Sequence, residues 1–247
     1  MNILISNLNL FSNSLESIPD SKLLINTLNA HSYNTAQQDH LFAEIIRKSD
    51  VLLPDGISIV FALRYINGTK LKKIAGSDLF YYEMKRLNVN GGRKCFFLGS
   101  NQSNLNIIQE RAKHEFPNVQ VFTYSPPFKE EFTGEDTAEM ISAINSCKPD
   151  VLFIGMTAPK QEKWAYDNFN KLEVGHICCI GAVFDFYSKR VKRAPQSFIK
   201  VGLEWFYRLI REPRRMWHRY LIGNWRFIYW VLLEKNNIRR KQIYRQL

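Results

Sequence analysis

Short runs of consecutive apolar residues alternate with longer amphipathic stretches over roughly the first 190 positions. The runs fall at residues 23–28, 50–53, 95–98, 119–124, 151–154 and 176–180. Lacking polar alternation, they predict strands covered on both faces and hence a largely parallel sheet. Between them, residues 35–48, 77–87, 103–116, 133–146 and 160–169 place apolar positions at helical spacing and predict crossover helices. Near Val191-Lys-Arg-Ala-Pro195 the pattern changes, and the remainder of the chain reads as helix, divided at Pro213. The fold class expected is α/β, with a catalytic-type body over 1–195 and a helical appendage over 196–247.

Charge sharpens that division. Of the 34 Lys and Arg residues, 16 lie between Lys189 and Leu247, against three acidic ones, Glu204, Glu212 and Glu234. That segment carries +13 while the whole chain carries +11, so residues 1–188 are close to neutral at −2. The basic segment is also rich in Trp205, Phe206, Tyr207, Trp217, Tyr220, Trp225, Phe227, Tyr229 and Trp230. Arginine among amphipathic rings suits a boundary between anionic phosphate and apolar material. A membrane surface is one such boundary and a nucleic acid another. Confinement of the charge to one segment, with no RNA- or DNA-binding module pattern, favours the membrane and leaves nucleic acid out of the expected partners.

The opening residues have neither a basic region nor a sustained apolar run, so no secretory signal is expected. Nor does any stretch reach the roughly 18 uncharged apolar residues that a membrane span requires. A cytoplasmic protein attached peripherally to the membrane is the expectation. Cys95, Cys147, Cys178 and Cys179 form no Cys-x-x-Cys pair and read as reduced thiols, three of them within apolar runs. A homo-oligomer is compatible with an apolar edge or helix face.

Ligands of open parallel sheets sit beyond the carboxyl ends of the strands, so candidate chemistry is sought there. Asp55, followed by Gly56, stands at such an end, either as a catalytic base or as a helix cap or turn former. Thr27 and Asn29 are two apart and face the same way, either to hold a hydroxyl or as plain loop residues. Gly99-Ser100-Asn101 leads into a helix and offers backbone amides, without a full Gly-x-Gly-x-x-Gly pattern. Gly155 closes another strand, and Gln161 and Glu162 open a helix behind Pro159, as ligand contacts or as partners of the helix dipole. Asp185, among Phe184, Phe186 and Tyr187, is either a buried partner of a base such as Arg193 or part of the site.

No metal is expected. The five histidines have no ligand spacing, and no Asp-x-Asp is present to hold Mg²⁺ or Mn²⁺ on a diphosphate. Positive charge would then have to come from Arg208, Arg211, Arg214, Arg215 and Arg219, whose forked guanidinium groups match phosphate oxygens.

These motifs together resemble one family. Asn26-Thr27-x-Asn29, Pro54-Asp55-Gly56-Ile57, Ile74-Ala75-Gly76-Ser77-Asp78-Leu79, Phe97-Leu98-Gly99, Gly155-x3-Pro159-Lys160-Gln161-Glu162-x-Trp164 and Gly181-Ala182-Val183-Phe184-Asp185 occur in order. Arg193-Ala194-Pro195, then Gly202-Leu203-Glu204-Trp205-x-Tyr207-Arg208-Leu209, complete the set. The chain is similar over about residues 20–220 to the WecG/TagA/CpsF glycosyltransferases. The resemblance implies a Rossmann-like body and transfer of a sugar from a UDP-sugar to a polyprenyl-diphosphate-linked glycan, with inversion and without metal or other cofactor. It also implies the inner leaflet of the cytoplasmic membrane as a partner. The family's base falls on Asp55, its polar strand residues on Thr27 and Asn29, and its glutamine on Gln161. Its basic C-terminal segment closes over the UDP diphosphate and binds membrane, but which arginine does which is left open. The alternatives are a soluble nucleotide-dependent α/β enzyme, such as a dehydrogenase, and a basic nucleic-acid-binding protein.

Overall fold

The structure is a computed structural model, and it describes residues 3–200 and 202–244. Its centre is a six-stranded sheet formed by β1 (Leu23–Leu28), β2 (Val51–Pro54), β3 (Lys94–Gly99), β4 (Gln120–Tyr124), β5 (Val151–Gly155) and β6 (His176–Cys179). The strand order is β2-β1-β6-β5-β3-β4 and every pairing is parallel. All six strands coincide with the apolar runs to within a residue or two. The α/β sandwich expected from the sequence is therefore the architecture found.

The helices are α1 (Ala30–Ala36), α2 (His40–Lys48), α3 (Ile57–Asn67), α4 (Gly76–Asn90), α5 (Gln102–Glu115) and α6 (Gly134–Cys147). They continue with α7 (Lys160–Asn168), α8 (Val183–Tyr187), α9 (Gln196–Lys200), α10 (Glu204–Arg211), α11 (Pro213–Trp217) and α12 (Gly223–Tyr244). A π-helical turn at His218–Ile222 joins the last two. Two departures from the apolar pattern have local causes. The single helix expected over 35–48 is broken at Asp39, whose carboxylate accepts from Phe42 N–H and starts α2 afresh. α3 falls between the predicted elements; it buries Ile59, Ala62, Leu63 and Ile66 at helical spacing, and its ends are set by Gly56 and by Gly68, the latter in the left-handed region at φ 79°.

Strand side chains alternate between two cores. Cys95, Phe97, Val151, Phe153 and Cys178 pack with α4, α5 and α8 on one face. Phe96, Leu98, Leu152, Ile154, Ile177 and Cys179 pack with α6 and α7 on the other. All four cysteines are free thiols, with Cys95, Cys178 and Cys179 fully buried.

The last helix does not hang free of the body. Phe227 and Val231 of α12 are buried in a third cluster with Tyr33, Ile59, Leu63 and Ile66 of α1 and α3. The Glu234 carboxylate, 2% exposed, accepts from the amides of Ile5 and Ser6, both at 2.9 Å. Asn34 of α1 donates to Gly223 O at 2.7 Å, and Lys235 donates to Ile66 O at 2.8 Å. The start of the chain, the first helices and the far end of the basic segment are thus one packed unit. Among the described residues, no helix is long and apolar enough to cross a membrane.

At the amino end of β6, His176 is buried with Nδ1 2.8 Å from Glu83 Oε1 and Nε2 2.9 Å from Pro19 O. Only the imidazolium has two N–H groups to serve two acceptors. Burial works against that charge, but the Glu83 hydrogen bond and charge, with the Pro19 carbonyl, raise the pKa on balance. A base whose pKa rises on folding stabilises the fold below its unfolded pKa, and the gain is lost as pH climbs through the folded value. The melting temperature should therefore fall as pH rises above about 6.5. His176→Asn should flatten that slope, and a variant with the wild-type slope would overturn the assignment. Removing Glu83 should cost about 3–5 kcal/mol in denaturant unfolding, because it strands a buried cation.

Candidate active site

A single cleft of about 1390 Å³ opens over the carboxyl ends of the strands. It is built from the loops after all six strands and is roofed by residues of the basic segment from Arg190 to Leu232. The sheet order reverses between β1, which steps out to β2, and β3, which steps out to β4. Such a reversal leaves the crevice in which α/β sheets hold ligands.

Asp55 lies half-buried on the floor, one residue past β2, its amide donating to Leu28 O and Leu53 O. Loss of hydration pushes its pKa up to about 6. The Lys73 charge and a hydrogen bond from Gly76 N–H oppose the rise, while the Glu204 and Asp78 charges add to it. The carboxyl is therefore poised between its two forms close to neutrality, which suits a general base.

Thr27, Asn29, Gly56, Ser100, Gly155, Gln161, Glu162, Asp185, Arg193, Arg208 and Arg219 line the same cleft. Asn29 spends its Oδ1 capping α1, accepting from His31 N–H at 3.0 Å and Ser32 N–H at 3.1 Å. Any ligand contact then falls to its amide nitrogen. Ser100 takes a left-handed backbone at φ 61°, accepts from Asn104 Nδ2 at 2.9 Å through its hydroxyl, and accepts from Ser125 at its carbonyl.

Gln161 and Glu162 form a coupled pair. Gln161 Oε1 accepts from Met156 N–H at 3.2 Å, and its Nε2 donates to Glu162 Oε1 at 2.8 Å. Glu162 is 1% exposed, its Oε2 has no partner among the described residues, and burial lifts its pKa to about 7. Asp185 is not the partner of Arg193. Its Oδ1 faces Asn104 Nδ2 at 3.4 Å, whereas Arg193 pairs with Glu204 at 3.3 Å. Of the two readings for Asp185, the cleft position is the one found.

Four predicted positions lie elsewhere and one is undetermined. Gly99 sits under the site, where a Cβ would come within 2.7 Å of the Gly155 carbonyl, so its role is close strand packing. Pro159 precedes α7 without lining the cleft. Arg211 and Arg214 are exposed and outside the lining, Arg211 lying over the Tyr207 ring at 5.6 Å. The Arg215 side chain lies outside the described residues.

The cleft also holds residues that the motifs did not single out: His31, Lys73, Lys160, Arg190 and Glu204. Glu204 of α10 joins Lys73 of the body to Arg193, each at 3.3 Å. His31 is held neutral, its pKa near 4, by burial and by the Arg219 charge. Arg208 stacks over Phe186 at 5.2 Å, and its buried Nε has no hydrogen-bond partner among the described residues. Of these, Lys160 and Glu204 stood in the quoted motifs without a role, and His31, Lys73 and Arg190 stood in none. Among the described residues, no three His, Cys, Asp or Glu side chains cluster as metal ligands would.

The profile of the glycosyl transferase WecG/TagA/CpsF family matches residues 2–241. The N-acetylglucosaminyldiphosphoundecaprenol N-acetyl-beta-D-mannosaminyltransferase of Bacillus subtilis (strain 168) is 32% identical over 219 residues, covering 87% of this chain and 83% of that protein. Proteins of the same name are 31% identical in Bacillus spizizenii, covering 75% of this chain and 70% of that one, and 26% identical in Staphylococcus aureus (strain MW2), covering 79% and 75%. On both counts the chain is a glycosyltransferase and belongs to the WecG/TagA/CpsF family.

Proposed function

We propose that this enzyme transfers an N-acetylhexosamine-type or hexose sugar from UDP to a glycan begun on a polyprenyl diphosphate, with inversion and without a bound metal. The observation that carries the reading is one cleft lined both by Asp55 and by arginines of the basic segment, Arg193, Arg208 and Arg219. The relatives' names supply the acceptor type and make N-acetylmannosamine the first donor to test.

In this reading Asp55 accepts the proton of the acceptor hydroxyl as its oxygen bonds to the anomeric carbon. The bond from that carbon to the UDP oxygen breaks on the opposite face, and UDP departs. A single displacement of this kind inverts the anomeric centre. The leaving diphosphate gains negative charge, and guanidinium groups in a partly dry cleft are placed to meet it. The unpartnered Nε of Arg208 supports that role. Thr27, Asn29, Gln161 and Glu162 are left to fix the sugar hydroxyls and Asp185 the nucleotide.

A peripheral membrane attachment completes the proposal. Trp217, Leu221, Trp225 and Tyr229 are 49–73% exposed on the basic segment, beside exposed Arg214 and Arg226. Rings with cations suit an anionic bilayer surface, where each basic residue contributes about 1 kcal/mol. Residues 1–195 would then form the catalytic body and 196–247 the membrane-facing part.

The function is tested by measuring UDP release over a panel of UDP-sugars with a short-chain prenyl-diphosphate glycan acceptor; no release with any sugar would refute it. Asp55→Asn should lower kcat by about 10²–10⁴ while leaving UDP affinity unchanged, and wild-type turnover would remove Asp55 as the base. Because the base must be ionised, kcat/KM should rise with pH to a plateau above about 6; a profile flat from pH 5 to 7 would contradict it. Deleting the whole segment would also strip Phe227, Val231 and Glu234 from the core, so point changes test the membrane role better. Trp217→Ser with Trp225→Ser should weaken flotation on anionic vesicles about tenfold, and unaltered flotation would overturn the attachment.

A further inference from the structure

We infer that the seam between α3 and α12 holds the first isoprene units of the acceptor's lipid, an inference that rests on the polyprenyl-diphosphate reading above. α3 and α12 are docked through Ile59, Leu63 and Ile66 against Phe227 and Val231. Beside that buried seam, Phe61 and Tyr65 of α3 are 58% and 53% exposed, and Ile228 and Leu232 of α12 are 44% and 46% exposed. Each pair is spaced by four residues, so each forms one stripe along its helix. All four line the cleft that contains Asp55, with Ala62 and Val231 beneath them.

The two helices run the same way. α3 leaves the site at Gly56, next to Asp55, while α12 leaves it at Asn224, just past Arg219 and Tyr220. Their far ends are joined where Lys235 donates to Ile66 O and lies over the Tyr65 ring at 5.7 Å. From Ile57 to Tyr65 the trough runs about 12 Å. The polar lining therefore lies at the starts of the two helices, where Asp55 and Asn224 stand, and the hydrocarbon walls extend away from it. The acceptor has the same polarity: a sugar and diphosphate at one end, an alkyl chain at the other.

That match of polarity along a recessed, continuous groove is why the occupant is the acceptor's own chain. A bilayer surface would meet an outward face. A second protein chain would have no reason to continue into the catalytic floor. Four large apolar side chains left half in water at the mouth of a cleft mark a binding surface rather than a packing defect.

The test is the acceptor KM of the full-length enzyme for glycan diphosphates carrying no prenyl chain, a short prenyl chain or a longer one, in dilute solution without vesicles. Wild-type KM should fall about tenfold or more from the chainless to the short-chain acceptor. Phe61→Ser/Tyr65→Ser and, separately, Ile228→Ser/Leu232→Ser should erase most of that fall, while UDP affinity, which reports an intact body, stays at the wild-type value. Retention of the full chain-length effect by both variants would overturn the inference. So would variants that lose vesicle flotation or self-association while keeping the chain-length effect. A wild-type enzyme that transfers to no prenyl-diphosphate acceptor at all would instead refute the function on which the inference rests.

Discussion

Two carboxylates hold the basic end of the chain over the sheet, and the chemistry depends on that hold. Glu204 bridges Arg193 to Lys73, 131 positions earlier, and Glu234 takes the amides of Ile5 and Ser6 across more than 220 positions. Glu234 is almost wholly buried, and a buried carboxylate is tolerable only when its oxygens are met by donors. Hydrogen bonds to a charged group contribute about 1.5–3 kcal/mol each. Together with Phe227 and Val231 in the core, they make the closed arrangement an ordinary packed state of the protein.

Closure has an electrostatic consequence. Burial is the main reason the Asp55 carboxyl is drawn up toward neutrality, and the segment contributes the Glu204 charge to that rise. Glu204 adds to the rise and Lys73 restrains it, so the pair that fastens the segment also tunes the base. The same exclusion of water strengthens whatever Arg193, Arg208 and Arg219 do to an anionic ligand, since charges interact more strongly at lower effective dielectric. His31 answers to the segment as well, since the Arg219 charge joins burial in holding it neutral. The contact that fastens the segment and the charge around Asp55 therefore share Lys73 and Glu204.

Much of this was legible in the residues because parallel strands buried on both faces leave an uninterrupted apolar signature. Their carboxyl ends then single out Thr27, Asp55, Ser100, Gly155 and Gln161 as candidates, with cap, turn and loop roles left open until the family motifs are added. α3 was missed because its apolar run from Ile57 to Ile66 is broken only by Ser58 and Arg64, so the buried set Ile59, Ala62, Leu63 and Ile66 does not stand out from its apolar neighbours. Lys73 and Arg190 were missed too, since they stand in ordinary basic surroundings and matter only through tertiary approach. Arg211 and Arg214 show the converse limit. Composition marks the basic segment as a whole, but only the packed structure shows that Arg208 and Arg219 line the cleft while those two do not. The relation of Asp185 to Arg193 failed similarly, because Glu204 offers Arg193 a carboxylate from its own segment.

The central claim is that guanidinium groups of the C-terminal segment, rather than a divalent cation, receive the charge of the departing diphosphate. Steady-state turnover of metal-stripped enzyme in excess EDTA tests it most directly. The account predicts a rate equal to that of untreated enzyme, with no gain on adding Mg²⁺ or Mn²⁺. A rate abolished by the chelator and restored by either cation would contradict it.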